Sequence, residues 1–201
     1  MPQSKFRTPN ELVYSLFALL IAVIVVHAIY VTVIRPRAAE ILEEQRMAML
    51  EDENYVSERS IYVVIKDFEQ EACIILALWA LAIIVYKGYL AHRERKLLSR
   101  DLVHVPEGMR ILPEDSREYA RSIEAMPPPD SEGLVPRALL VSLYRFGATR
   151  NVQDVSDAAR GVCEAEAARL DSELSMLRYI AWAIPAIGFI GTVRGIGDAL
   201  G

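Results

Sequence analysis

Cysteine and histidine are scarce in this chain of 201 residues: two cysteines, Cys73 and Cys163, and three histidines, His27, His92 and His104. Two cysteines so far apart in sequence make neither a disulfide framework nor a zinc site. The histidines fall in separate stretches with no base and nucleophile spacing between them. No repeat, phosphate-binding glycine loop or nucleophile motif stands out, so neither an enzymatic activity, a metal site nor a cofactor is expected. Basic excess is also missing: 22 Lys plus Arg face 27 Asp plus Glu, for a formal net charge of −5. Non-specific phosphate contact needs a basic surface, so nucleic acid is not an expected partner.

The most informative absence is local. Residues 12–34 contain no Asp, Glu, Lys or Arg, and a charge-free run of this length is what a helix needs to cross ~30 Å of hydrocarbon. A secretory signal has a shorter apolar core, ~7–15 residues, and ends at a small-residue cleavage site, whereas this run ends in Ile34-Arg35-Pro36-Arg37. Residues 12–34 are therefore expected to be a first transmembrane helix. Ser15 and His27 lie inside it, and a polar group in lipid turns toward neighbouring helices; an interhelical hydrogen bond is the favoured reading of His27 over a proton relay. A second span is expected over 71–91, apolar on every face from Ala72 to Tyr86 and unlike a half-buried soluble helix. Trp79, Tyr86 and Tyr89 suit a membrane helix, and Lys87 can lift its ammonium to the headgroups.

Lys and Arg beside span ends are retained in the cytoplasm. Lys87, Arg93, Arg95, Lys96 and Arg100 follow the second span against Glu94 alone, while the segment between the spans, 35–70, holds nine acidic and five basic residues. The expected topology is a cytoplasmic N-terminus over 1–11, an outer, mostly helical hairpin over 35–70 and a cytoplasmic segment over 92–150. That segment is rich in proline. It is expected to hold a short helix from Glu114 to Ala125, with Pro113 suiting its first turn, and another from about Pro136 that presents Leu139, Leu143 and Phe146 before Gly147 stops it. From Asn151, a plausible cap, Val152, Val155, Ala159, Val162, Leu170, Leu174 and Leu177 recur at helical spacing. This amphipathic helix, 151–178, is expected to run unbroken into a third span over 179–201.

The third span differs in kind. Gly188, Gly191 and Gly195 let helix backbones approach closely, and Pro185 removes a backbone hydrogen bond and can kink the helix. Thr192, Arg194 and Asp198 are polar groups within or near lipid, where Arg or Asp costs ~2.5–3.5 kcal/mol on insertion scales. Arg194 and Asp198, four apart, can pair on one helical face or take part in ion passage. The Thr192 hydroxyl can bond back to its own helix or face an ion route.

The stretch Ile184-Pro185-Ala186-Ile187-Gly188-Phe189-Ile190-Gly191-Thr192-Val193-Arg194-Gly195-Ile196 resembles the signature of the MotA/TolQ/ExbB proton channel family: a proline, a glycine, then Gly-Thr-Val-x-Gly-Ile, entered from a long charged helix. The close likeness covers about 25 residues near the end of the chain, with a looser one from Ala158. It implies a pentameric homo-oligomeric ring in a bacterial inner membrane, around a single-span partner of the ExbD/TolR/MotB type whose membrane Asp carries the ion. It also implies that Thr192 lines the ring's interior. A hydroxyl both donates to a carboxylate and accepts from a carboxylic acid or hydrated ion. Arg194 stands where TolQ- and ExbB-like members carry Trp, and Asp198 where they carry a milder residue; a cation facing the route would oppose ion entry, so Arg194 is expected to pair with Asp198 or face a neighbouring subunit. Since such members follow the motif helix with another span, one is expected beyond Gly201.

The expected protein is thus all-α and polytopic, with three transmembrane helices, the third continuous with a cytoplasmic helix. The expected function is the ring-forming subunit of a proton- or sodium-driven motor complex. The alternative is a membrane-anchored scaffold or sensor whose polar third span only mediates oligomerisation.

Overall fold

The computed structural model describes residues 8–51, 59–106, 108–128 and 130–200, with the side chains of residues 8–10, 198 and 199 outside the description. Every regular element among the described residues is helical. In chain order they are α1 (Thr8–Ile29), a π-turn (Tyr30–Ile34), α2 (Arg35–Glu51), α3 (Ile61–Ile65), α4 (Phe68–Leu98), α5 (Ser116–Glu124), a 3₁₀ turn (Asp130–Glu132), α6 (Leu134–Thr149) and α7 (Val152–Leu200). Among the described residues three stretches are long and apolar enough to cross a membrane: Glu11–Glu51, Phe68–Leu98 and Val152–Gly197. The chain forms two compact units, one of residues 1–85 with 176–201 and one of residues 86–175.

In the first unit the buried side of the first long helix repeats every four residues: Ala22, Val26, Tyr30, Ile34 and Ala38. In a plain α-helix such a row drifts by about 40° at each step. The π-turn absorbs that drift. Its register is marked by the Arg35 amide, which donates to the Tyr30 carbonyl five residues back, and the wider turn returns Ile34 and Ala38 to the face that carries Val26. Ile65 and Ile75 pack against the resulting cluster of Val26, Tyr30 and Ile34.

Residues of α4 hold those of α1 by polar bonds as well as apolar contact. Trp79 Nε1 donates to the carbonyl oxygen and the hydroxyl of Ser15, at 2.9 and 3.1 Å. His27 Nδ1 lies 2.7 Å from Glu71 Oε1; a carboxylate only accepts, so Nδ1 carries the hydrogen. Arg35 Nη2 donates to Glu71 Oε2 at 2.6 Å, and its guanidinium lies 4.4 Å from the centre of the Phe68 ring. The interhelical bond expected of His27 is therefore present, with Glu71 as its partner.

The second unit is built on α5 packed against α6, around Ala120, Ile123 and Leu143. Here α5 is slightly shorter than expected and α6 begins at Leu134, two residues before Pro136. Glu94 caps α6 from α4, its Oε2 accepting the Leu134 N–H at 2.9 Å. Gly133 permits this approach: a Cβ there would stand 2.8 Å from Leu97 Cδ1.

Gly147 does not stop α6, contrary to expectation. The helix continues to Thr149, and Arg150 takes the left-handed conformation, φ 52° and ψ 23°, that ends it. Gly147 has a packing role instead, because a Cβ there would overlap the Ser116 hydroxyl oxygen at the start of α5. Asn151 does cap α7, its Oδ1 accepting the Gln153 N–H at 3.0 Å. From there α7 is one helix of 49 residues with Pro185 inside it.

Candidate functional site: the motif helix and its charged flank

A side chain on an α-helix points about 100° away from its predecessor, and this sorts the motif end of α7 into three faces. Ile180, Ile184 and Gly191 share the first, which packs on α4. Ile180 is buried, Cys73 donates its S–H to the Ile184 carbonyl at 3.5 Å, and Gly191 meets the stem of Glu69. A Cβ on Gly191 would lie 3.2 Å from Glu69 Cβ and 3.3 Å from its Cγ. Trp182, Phe189, Val193 and Ile196 form another face, large, apolar and exposed; such a surface suits lipid or a second subunit.

Between these two runs a narrow strip spaced four, three, four and three: Ala181, Pro185, Gly188, Thr192 and Gly195. Nothing lies within 4 Å of where a Cβ on Gly188 or Gly195 would stand. Thr192 is exposed, and its hydroxyl donates to the Phe189 carbonyl at 2.7 Å. The proton is thus engaged by its own helix while the oxygen keeps its two lone pairs as acceptors. Rotation about χ1 frees the proton for an incoming carboxylate.

The glycines of the motif therefore do not act as one set. Gly191 is filled against by α4, whereas Gly188 and Gly195 flank Thr192 on the open strip. Pro185 lies on that strip too, and its lack of an N–H leaves the Ala181 carbonyl without the usual helical donor.

Arg194 turns toward the start of α4. Its Nη2 is 3.1 Å from Glu69 Oε2 and 3.3 Å from Asp67 Oδ1. Glu69 Oε2 has no well-aligned hydrogen bond, so its contact with Arg194 is a charge contact at ion-pair distance. Asp198, the partner expected from spacing, has a side chain outside the described residues. Asp67, Glu69 and Glu71 were not singled out by the sequence analysis. The signal was available, since three acids stand at the foot of an apolar run, where any nearby cation in lipid must find its counter-charge. Among the described residues no group of three or more His, Cys, Asp and Glu is placed to hold a metal ion.

The fold pairs an exposed hydroxyl and two unfilled glycines with a helix built for close packing, an arrangement suited to ion passage or to helix association. No curated protein and no solved structure matches the chain. A family model does match: residues 135–201, a third of the chain, taking in nearly all of α6 and the whole described length of α7, are similar to the MotA/TolQ/ExbB proton channel family.

Proposed function

We propose that the protein is the ring-forming subunit of an inner-membrane complex driven by a proton or sodium gradient. Five copies surround a single-span partner of the ExbD/TolR/MotB type, and an Asp in the partner's helix exchanges the ion beside Thr192. The N-terminus and residues 92–178 lie on the cytoplasmic side, as the basic cluster after the second span favours. The observation that carries this reading is the placement of Thr192 between Gly188 and Gly195 on an unfilled strip of α7, within the family-matching segment. Small residues at that strip let a second helix approach closely, and the hydroxyl serves a carboxylate in either charge state.

The back-bond from Thr192 to Phe189 favours a second reading, a scaffold in which the strip only joins subunits. One pair of variants separates the two. In the full-length protein with its partner, Thr192→Ala is expected to abolish gradient-dependent ion entry while the complex stays assembled, and Thr192→Ser to retain entry. Normal ion entry in Thr192→Ala would leave the scaffold reading standing.

A further inference from the structure

We propose that Asp67 and Glu69 are positioning residues for Arg194: they hold its cation on the α4 side of the motif helix and so keep it off the ion route past Thr192. This rests on the reading of Thr192 given above. Two residues apart on a helix, Thr192 and Arg194 point about 200° away from each other. That separation alone does not fix a guanidinium on a long, flexible stem. Two carboxylates do, at 3.1 and 3.3 Å from one guanidinium nitrogen.

The sequence of α7 makes the hold possible. Gly191, one turn before Arg194, has no side chain, and the Glu69 stem fills that space. The side chain of Glu69 is only 13% exposed, so solvent screens its charge poorly and the arginine is its natural partner. A neighbouring acid on α4 has its own partners, Glu71 accepting from His27 and Arg35. His27 and Arg35 are bonded to Glu71 and do not compete with Arg194 for Asp67 and Glu69. A released cation about 10 Å from the route, in surroundings of effective dielectric about 20, slows entry of a positive ion roughly tenfold.

The test compares full-length protein co-expressed with its single-span partner, with proton entry followed by an intracellular pH dye and sodium entry by a sodium dye. Assembly of each variant is checked by native gel. Asp67→Asn/Glu69→Gln is expected to assemble and to lose entry about tenfold, and adding Arg194→Gln is expected to restore at least half of it. An unchanged rate in the double variant overturns the proposal, as does an equal loss in the triple variant, which would mark the cluster as merely structural. Should the double variant fail to assemble, Glu69→Gln alone is compared with Glu69→Gln/Arg194→Gln on the same criteria. Absence of entry in the unsubstituted complex would refute the ion-conducting reading itself, and this proposal with it.

Discussion

Glu71 joins two stretches of the chain that are remote in sequence, and its loss should be expensive. Its side chain is 7% exposed and accepts from both His27 and Arg35. Replacing it by Gln leaves an acceptor for His27 but removes the counter-charge of Arg35, which is 30% exposed. Breaking a fully buried pair costs about 3–5 kcal/mol, whereas an exposed one is worth about 0.2–1 kcal/mol. The intermediate exposure of Arg35 places the pair between these limits. Its guanidinium also keeps the face of Phe68, a contact worth roughly 0.5–1 kcal/mol where exposed, which softens the loss. A double-mutant cycle of Glu71→Gln with Arg35→Gln should therefore give a coupling energy of about 2 kcal/mol, in the range of hydrogen bonds to charged groups. The assay is equilibrium unfolding in mixed micelles with rising SDS fraction, followed by the fluorescence of Trp79 and Trp182. A coupling below about 0.5 kcal/mol would show that the pair behaves as an exposed one and that apolar contact, not the ion pair, holds these helices together.

Gly147→Ala should destabilise the α5–α6 pair by about 1–3 kcal/mol, the cost of overpacking a tight contact, even though alanine favours a helix by about 1 kcal/mol. Thermal unfolding followed by circular dichroism should show most of that loss recovered by adding Ser116→Gly; an additive second loss would mean that the two residues do not meet. The Tyr144 hydroxyl donates to Glu124, and that carboxylate holds the phenol above its ordinary value of 10.0. Its contribution to stability is thus fully present below about pH 10 and is lost as pH rises through the raised folded value. In ultraviolet difference absorbance, the late-titrating signal that Tyr144→Phe removes should move back toward the ordinary value in Glu124→Gln; no change in that variant would count against the bond.

The long apolar helices were legible because hydropathy is a sum over many residues, and the charge-free run from Leu12 to Ile34 leaves little choice. Asn151 was legible too, since a cap acts through its own neighbours in sequence. Gly147 was misread for the complementary reason. Glycine ends helices by adopting positive φ, but it also admits a close neighbour, and only the packing of α5 on α6 decides between these uses. Arg150, with no glycine-like freedom, takes the left-handed position in its place. The π-turn was invisible to a periodicity search that assumes 3.6 residues per turn, although the four-residue row from Ala22 to Ala38 holds its trace. At the site, Thr192 stood out by motif, whereas the acids that meet Arg194 come from a segment more than a hundred residues earlier. Spacing along one helix offered only Asp198.

The proposed function turns on where one oxygen sits in the proposed complex. Cryo-electron microscopy of the full-length protein with its partner in lipid nanodiscs would locate the strip of Pro185, Gly188, Thr192 and Gly195. Thr192 Oγ1 is expected to face the interior of the proposed ring, within hydrogen-bond reach of the partner's carboxylate or of a water bound to it. Thr192 packed against acyl chains, or sealed in a contact between neighbouring subunits, would contradict it.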